Sequence, residues 1–306
     1  MQALLDTIAT LPCTEQAQRL FHGRGGLYPG CEQWTLDAYP PVWVLTSFAP
    51  VAEADLHTLG QALEQRWHTL YPDQACNWVF QCRAEGQSET RLMAGSAPEP
   101  HIVTEGANRF RVHVLRGQNH GLFLDMAAGR EWVGQHLQRH PGQKVLNLFA
   151  YTCAFSVVAL QAGASHVVNV DMARGALAIG QQNHQLNGLG GGASFWGHDI
   201  FSSWGKIGRS GPYGLVIVDP PSYQKGSFIA SKDYAKLMRR LPDLLAPGGH
   251  ALLCLNAPEL GLAFLQEQMA SLAPTLTLLE RVANPAVFAD VSPERALKVL
   301  VYRAAA

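Results

Sequence analysis

Three aspartates each follow a short apolar segment in the second half of the chain: Asp171, Asp199 and Asp219. In an open α/β sheet, ligands bind beyond the carboxyl ends of the strands. Carboxylates at such ends accept hydrogen bonds from hydroxyl and amine groups, which suits a nucleoside. Each aspartate could instead cap the helix that follows it. Because all three aspartates occur at the same place, the end of an apolar segment, ligand binding is favoured over helix capping.

The first of these segments, Val145–Ala150, is followed by Tyr151 and Thr152. Because Tyr151–Phe155 contains no glycine, it lacks the fingerprint that lets backbone approach a pyrophosphate, which disfavours a nicotinamide dinucleotide. Asp171 comes about 21 residues after the first predicted strand, the spacing at which a carboxylate binds ribose hydroxyls. Asp199 and Ile200 would then supply an acceptor for the adenine amine and an apolar surface for its ring.

The segment Asp219-Pro220-Pro221-Ser222-Tyr223 is the most specific in the chain. Two successive prolines fix the backbone and remove two N–H donors, which leaves carbonyl acceptors beside an aromatic ring. Such a turn can position a planar base by hydrogen bonds and stacking. The alternative is an ordinary loop at the end of a strand.

Strands and helices must alternate to bring these residues together. After residue 145 we predict strands at Val145–Ala150, His166–Asp171, Ala193–Asp199, Tyr213–Asp219, His250–Asn256, Thr275–Val282 and Ala296–Tyr302, with helices that include Ala173–Leu186 and Ile229–Leu245. This alternation is typical of a doubly wound, mostly parallel α/β sheet of seven strands. The last two predicted strands have no helix between them, which indicates an antiparallel edge.

The first part of the chain has a different pattern and a different charge. Residues 1–117 contain 8 arginines, no lysine and 12 acidic residues, whereas residues 118–306 contain 15 basic and 12 acidic residues. A helix over Glu53–Tyr71 and short strands, including a hairpin around Gly106-Ala107-Asn108, predict a small α+β domain over 1–117. We therefore expect the second domain, 118–306, to contact anionic partners.

The overall composition is that of a soluble globular protein. The 306 residues are 47% hydrophobic and 15% charged, with a net charge of −1, which excludes fibrous and disordered classes. The six cysteines form no C-x-x-C pair, and the amino terminus has no signal-peptide pattern, so we expect a cytoplasmic protein. No membrane span is expected. The histidines lack metal-ligand spacing, so we expect no metal.

Four motifs together resemble the class I S-adenosylmethionine-dependent methyltransferases. They are Val145–Cys153, Val168–Met172, Asn183–Gly188 and Asp219–Tyr223. Within that superfamily the chain resembles the bacterial large-subunit (23S) ribosomal RNA methyltransferases, which include cytosine carbon-five and guanine ring-nitrogen-seven enzymes. The resemblance covers about residues 118–306. It implies a Rossmann-like sheet for that region, which follows the predicted small α+β domain.

The resemblance also implies a cofactor, S-adenosylmethionine, and the residues that bind it. Phe149, Tyr151 and Thr152 would surround the methionyl part. Asp171, with Met172 beside it, would bind the ribose, and Asp199 with Ile200 would bind the adenine. The resemblance further implies that Asp125 and Arg130, in the segment before the first of these motifs, enclose the cofactor. Cys153 stands where the family usually has glycine, and we expect cofactor binding to survive this change.

Asn256 occupies the position that carries the nucleophilic cysteine in the carbon-five cytosine members. Carbon-five methylation needs a covalent thiolate adduct, whereas a ring or exocyclic nitrogen has its own lone pair. Cys254 is expected in the core. We therefore predict methylation of a nucleobase nitrogen, with guanine favoured, by direct in-line transfer. Tyr223 would stack the base, Asp219, Pro220 and Ser222 would orient it, and Asn256 would hold its edge.

The sequence leaves several alternative functions open and indicates one surface that could bind a partner. The alternatives are a cytosine carbon-five enzyme, a methyltransferase of a protein or small molecule, and an inactive binding module. Five basic residues follow the Pro-Pro turn and could bind ribosomal RNA phosphates or simply form a solvated helix face. They are Lys225, Lys232, Lys236, Arg239 and Arg240.

Overall fold

The computed structural model describes residues 1–85, 87–224 and 228–306, with Gln87, Tyr223 and Gln224 described by their backbone alone. The described chain groups into two compact units. The first comprises Met1–Asp125 and Pro285–Ser292, and the second comprises Met126–Asn284 and Pro293–Ala306. The domain boundary predicted after residue 117 stays a prediction.

The first unit is built on a five-stranded sheet. It contains, in chain order, α1 (Gln2–Thr10), β1 (Gln18–His22), β2 (Trp34–Tyr39), β3 (Val42–Ser47), α2 (Glu53–Leu70), β4 (Trp78–Ala84), β5 (Gln87–Ala94), β6 (His101–Glu105) and β7 (Asn108–Val112). The sheet has the order β1-β2-β3-β4-β5, with β3 and β4 parallel and the other pairs antiparallel. The predicted hairpin is formed by β6 and β7 around Gly106, whose φ of +58° suits a glycine in a tight turn.

The second unit alternates strands and helices as predicted. It contains α3 (Ala127–Arg139), β8 (Lys144–Leu148), α4 (Ala154–Gln161), β9 (His166–Val170), α5 (Arg174–Leu186), β10 (Ala193–Trp196), α6 (Trp204–Ser210), β11 (Tyr213–Val218), β12 (Tyr223–Gln224), β13 (Phe228–Ile229), α7 (Ala230–Met238), α8 (Leu241–Leu244), β14 (Leu245–Leu255), α9 (Leu262–Leu272), β15 (Leu276–Arg281) and β16 (Lys298–Ala304).

Seven strands of the second unit form one sheet in the order β10-β9-β8-β11-β14-β16-β15. The strands from β10 to β14 are parallel, and β16 is antiparallel to both of its neighbours. The predicted antiparallel edge is therefore confirmed. The chain reverses its winding between β8 and β11, which makes the carboxyl ends of these two strands the topological switch point where such sheets bind ligands.

The predicted helix over Ile229–Leu245 is interrupted in the structure. It ends at Met238, and the short α8 begins at Leu241 with Pro242 in its first turn. Because proline has no N–H, Pro242 cannot donate to the carbonyl of Met238 and the helix cannot continue. A glycine is required at position 249 in the following strand, because the Cβ of any other residue would lie 2.8 Å from the carbonyl oxygen of Ala246.

The core of the second unit lies on both faces of its sheet. Val145, Val216 and Leu252 are fully buried within central strands, and α4 adds Val157. Strands covered on both faces carry continuous apolar runs, which explains the segments seen in the sequence. None of the helices in the described parts of the chain is long and apolar enough to cross a membrane.

Candidate active site

The loop after β8 is held in an unusual conformation. Phe149, Tyr151 and Cys153 have φ values of +58°, +47° and +62°, in the left-handed region that residues other than glycine rarely adopt. The backbone N–H of Ala150 donates to Val170 O at 3.1 Å, and that of Cys153 donates to Ala150 O at 2.7 Å. Such strain costs about 1–3 kcal/mol per residue and is found mainly at functional sites.

Asp171 connects this loop to the end of β9. One carboxylate oxygen accepts the N–H of Tyr151 at 2.8 Å, and the other accepts the N–H of Ala173 at 2.7 Å, just before α5 begins. Asp171 therefore closes a local turn and fixes the loop, but it is not the helix cap that the alternative interpretation required, because the N-cap residue of α5 is Ala173. Because each carboxylate oxygen accepts two hydrogen bonds, both keep a lone pair for a ligand hydroxyl.

The next strand end presents a second carboxylate. Asp199 accepts the N–H of Phe201 at 3.0 Å and is half-buried after β10. Ile200 is 3% exposed, so only its edge could contact a ring, whereas Met172 is 56% exposed beside Asp171. Asp171 and Asp199 follow neighbouring parallel strands, and their carboxylates are acceptors that fit the hydroxyls and the amine of a nucleoside.

Cys153, which stands at the family's glycine position, lies away from solvent. Its side chain is fully buried with Ala150 and Leu177, against α5. Burial raises the pKa of its thiol well above the usual range, with a smaller contribution from Asp171. A side chain with no exposed surface leaves the solvent-facing part of the loop open to a ligand.

The structure reveals supporting residues to which the sequence analysis gave no role. Asn183 of α5 is fully buried, and its Nδ2 donates to Thr152 O at 2.9 Å, which secures the loop from beneath. Thr152 is 1% exposed as a whole residue, so it supports the loop from within and presents little surface to a cofactor. Asn183 lies in one of the motifs quoted above, but its role needed the fold to become visible.

A second set of buried polar residues joins β8, β9, α4 and α5. Asn147 donates to Asn169 at 2.9 Å, Asn169 donates to Ser156 at 3.0 Å, and Ser156 Oγ lies 2.9 Å from His184 Nε2. His184 Nδ1 lies 2.7 Å from Gly180 O, and burial lowers the pKa of His184, so the neutral ring donates to that carbonyl and accepts from Ser156. These bonds make the region below the loop rigid.

The Pro-Pro turn follows β11, the strand beside β8 at the switch point. Asp219 and Pro220 begin the turn, and Ser222 Oγ donates to the carbonyl of Asn256 at the end of β14. Tyr234 of α7 is fully buried, and its hydroxyl donates to Cys254 O at 2.7 Å. The ends of β11 and β14 are therefore held together.

Asn256 and Cys254 differ in access. Asn256 is exposed at the end of β14, whereas Cys254 is fully buried in the core, as its position predicts. The turn after Asn256 is secured by Lys298, a buried lysine whose Nζ donates to Ala257 O at 2.9 Å and to Glu294 O at 2.8 Å. Lys298 is another positioning residue that sequence reasoning missed.

The remaining predicted residues have varied positions. Asp125 belongs to the first unit, and Arg130 is a buried residue of α3 in the second. The backbone of Tyr223 pairs with Ile229 in a short hairpin, and Lys225 lies outside the described residues. The helical basic residues occupy two environments. Lys232, Lys236 and Arg239 are exposed, and Lys236 also pairs with Asp233 at 2.7 Å; Arg240 is half-buried and pairs with Asp243 at 3.5 Å.

The hydrogen-bonding groups at the strand ends indicate which kind of ligand the site fits. Carboxylates, backbone groups and an amide line the ends of β8, β9, β10, β11 and β14. In the described ranges, no three His, Cys, Asp or Glu side chains are grouped as metal ligands. These groups fit the hydroxyls and the amine of a nucleoside, and comparison with known proteins makes the class of protein more specific.

The family described as S-adenosylmethionine-dependent methyltransferase matches residues 18–303. A ribosomal RNA large subunit methyltransferase I from Aeromonas salmonicida is 32% identical over 225 residues, covering 70% of this chain and 55% of that protein. A ribosomal RNA large subunit methyltransferase K/L from Shewanella loihica is 33% identical over 190 residues, covering 60% and 26%. This chain thus spans about half, or less, of the length of these relatives.

A solved structure, described as that of a proposed methyltransferase complexed with SAH, is 25% identical and has a TM-score of 0.80. The match covers 99% of this chain and 78% of that one. The chain belongs to the S-adenosylmethionine-dependent methyltransferase family. The predicted fold class, the cofactor of the family and the relationship to large-subunit ribosomal RNA methyltransferases are confirmed.

Proposed function

We propose that the protein transfers a methyl group from S-adenosylmethionine to a nucleobase nitrogen, with guanine favoured, in large-subunit ribosomal RNA. The observation that carries this proposal is the difference between Asn256 and Cys254. A carbon-five cytosine mechanism needs an accessible thiolate. The two cysteines of the second unit, Cys153 and Cys254, are both fully buried, and an asparagine stands exposed at the strand end.

The cofactor residues act by placement. Asp171 has lone pairs for the ribose hydroxyls, Asp199 offers an acceptor for the adenine amine, and the strained loop of Phe149–Thr152 surrounds the methionyl part. When bound, S-adenosylmethionine supplies a methyl group on a positively charged sulfur. The residues of the chain then need only hold an attacking lone pair in line with that methyl group and exclude water.

The Pro-Pro turn would hold the acceptor base. Asp219 and the carbonyl of Pro220 are hydrogen-bond acceptors, so they suit a base edge with adjacent donors. The ring N–H and the amino group of guanine form such an edge, which is why guanine is favoured. Ser222 and Asn256 are already joined across the site, and Tyr223 is the aromatic residue of the turn that would stack the base.

The proposed substrate is RNA because both curated relatives are named for ribosomal RNA of the large subunit. A base within folded RNA must leave its stack to reach a strand-end site. The basic residues Lys232, Lys236, Arg239 and Arg240 of α7 and the following turn would contact neighbouring phosphates. A protein with this substrate works in the bacterial cytoplasm.

The proposal is tested by methyl transfer to RNA. Purified protein and radiolabelled S-adenosylmethionine are incubated with ribosomal RNA from a deletion strain and from the wild-type strain. We expect label in the large-subunit RNA of the deletion strain alone, because the site in wild-type RNA is already methylated. Label in protein or small molecules, with none in RNA, would refute the proposed substrate.

A second experiment tests the methylated atom. Cys254→Ser should retain transfer, because a nitrogen acceptor forms no covalent enzyme adduct, and RNA containing 5-fluorocytidine should form no covalent complex. Cys153→Ala provides the matched control for a buried cysteine. If Cys254→Ser abolishes transfer while the folded variant still binds the cofactor, the nitrogen assignment is wrong and the carbon-five alternative is supported.

A further inference from the structure

A surface of the second unit combines partly exposed aromatic rings with basic side chains. Its residues follow β10, begin α6 and extend along α7 to the turn after it. We call it the aromatic–basic surface, and it consists of Trp196, His198, Phe201, Trp204, Lys206, Lys236 and Arg240.

A basic side chain lies over each of three rings in this surface. Lys206 Nζ lies 4.2 Å from the ring centroid of Trp196, and Lys236 Nζ lies 5.3 Å from that of Phe201. The guanidinium of Arg240 lies 5.7 Å from the ring centroid of Trp204. The rings pack on the core with one side and are only partly buried, so they combine stacking area with positive charge.

A partly exposed tryptophan presents a large, flat ring that can stack on a planar partner. The four tryptophans of the first unit, at 34, 43, 67 and 78, are buried, and three in the second unit are half-buried: Trp132, Trp196 and Trp204. Trp132 donates its indole N–H to Glu280 at 2.8 Å on another part of the unit. The other two belong to the aromatic–basic surface.

The charge of the surface is complementary to a polyanion. Residues 196–210 and 229–245 contain six lysines and arginines against three aspartates. This excess of three equals that of the whole of residues 118–306, which contain 15 basic and 12 acidic residues. The positive charge of the second part is thus concentrated where the rings lie.

The surface lies close to the candidate active site. The rings of Trp204 and Phe201 are 6.2 Å apart, Phe201 and Phe228 are 6.3 Å apart, and Phe228 contacts Phe149 of the strained loop at 5.2 Å. Asp199 lies between Trp196 and Phe201 in the sequence and accepts the N–H of Phe201. Because Phe228 is 1% exposed, these contacts run through the core, and they fix the position of the surface near the strained loop.

We infer that the aromatic–basic surface binds the single-stranded RNA segment next to the target nucleotide, by stacking its bases on Trp196 and Trp204 and by contacts of its phosphates with Lys206, Lys236 and Arg240. This inference rests on the proposed RNA substrate. Stacking on aromatic rings tolerates any base sequence, and it needs unpaired bases. A base turned out of its helix leaves such unpaired neighbours beside it.

Tryptophan fluorescence tests the stacking directly. The protein with bound SAH is titrated with a single-stranded oligonucleotide from large-subunit RNA and with the same sequence in a duplex. We expect the single strand to quench fluorescence in the wild type and in the control Trp132→Phe, and to quench it less in Trp196→Phe and Trp204→Phe. Equal quenching by the duplex or by poly-glutamate would overturn the inference.

Affinity and charge provide a second readout. Trp204→Leu should weaken single-strand binding about 5- to 100-fold. Lys206→Gln should lower the slope of log affinity against log salt by about 0.7, whereas the exposed control Arg295→Gln should leave it unchanged. Thermal unfolding and SAH binding show whether each variant folds, and Trp204→Phe replaces Trp204→Leu if the latter does not.

Methyl transfer separates this inference from the proposed function. In both Trp204→Leu and Lys206→Gln we expect a higher KM for RNA at unchanged kcat, because the contacts are made equally before and during transfer. Wild-type protein that methylates no RNA overturns the proposed function. Wild-type methylation accompanied by an unchanged KM in both variants overturns the role of the surface alone.

Discussion

The thiol of Cys153 occupies space that Gly180 leaves free. A Cβ built on Gly180 would lie 2.5 Å from Sγ and 3.0 Å from Cβ of Cys153. Gly180 is in the middle of α5, and Cys153 ends the strained loop after β8. The departure from the family's glycine is therefore matched by a glycine on the helix that packs against it, and the loop can keep its left-handed turn.

We predict that Gly180→Ala destabilises the protein although alanine is the better helix former. The added methyl group overlaps the thiol, and overpacking of a rigid site costs about 1–3 kcal/mol. Combined with Cys153→Gly, the same substitution should cost less than the sum of the two single changes, with a coupling of about 0.5–3 kcal/mol. Urea unfolding of the four proteins measures this coupling.

Gly175→Ala is the matched control, because it lies on the same helix and a Cβ there meets no atom within 4 Å. It should stabilise the protein by about 0.5–1 kcal/mol through helix propensity alone. Additive effects of Gly180→Ala and Cys153→Gly would show that the close approach has no energetic consequence.

We predict that Asp171→Asn weakens cofactor binding by at least about tenfold. The carboxylate fixes Tyr151 and Ala173 through their N–H groups, and hydrogen bonds to a charged group contribute about 1.5–3 kcal/mol each. An amide directs its own N–H groups at one of these donors and loses the charge. Calorimetry with SAH measures the affinity, and Asp243→Asn, an exposed acid of the same unit, should not change it. Wild-type affinity in Asp171→Asn would remove the residue from the site.

The alternation of the second unit was readable from the sequence because each strand is apolar and each break is polar. The end of β9 was predicted to within one residue for that reason, whereas β10 ends at Trp196, three residues before the predicted end at Asp199. In the first unit, however, α1, β1 and β2 were missed. Trp34, Leu36 and Ala38 do alternate with the polar Thr35 and Asp37, so the signal of a strand was present there and was overlooked. Thr35 and Asp37 are buried as well, which the sequence pattern does not reveal.

Parts of the site depend on contacts between distant segments, which spacing does not contain. Lys298 reaches Ala257 across 41 positions, and Asn183 reaches Thr152 across 31. One signal was available: Asn147 and Asn169 each interrupt an apolar strand, and they lie opposite each other in the register of β8 and β9. A polar residue at matching positions of two buried strands indicates a buried hydrogen bond.

The buried asparagines lead to a third prediction. Asn169→Leu should destabilise the protein by about 2–4 kcal/mol, because Asn147 and Ser156 each lose a partner and remain buried. The further change Asn147→Leu should recover part of this loss by removing one unpaired group. Denaturant unfolding measures both, with Asn187→Leu, a partly buried asparagine of the same unit, as the comparison. A double variant less stable than Asn169→Leu would contradict the argument.

A group of stacked rings on α3 and β14 makes the stability depend on pH. His136 has ring centroids of His250 at 4.4 Å, His140 at 4.6 Å and Trp132 at 4.9 Å. Burial, with a smaller contribution from the neighbouring His250, lowers the pKa of His136 to about 4. The ring therefore stays neutral in the folded protein at pH values where the unfolded chain binds a proton.

We predict that this histidine lowers the free energy of unfolding as pH falls from about 6.5 to 4. At pH values above the pKa of about 6.5 that His136 has in the unfolded chain, its contribution to the free energy of unfolding is complete. As the pH falls towards the pKa in the folded protein, this contribution is lost progressively, by about 1–3 kcal/mol in total. His136→Gln should reduce the pH dependence over this window, because glutamine does not titrate, whereas the exposed control His57→Gln should keep it. Denaturant unfolding at pH 7, 6, 5 and 4.5 measures the difference, and parallel curves for wild type and His136→Gln would show that the acid sensitivity arises elsewhere.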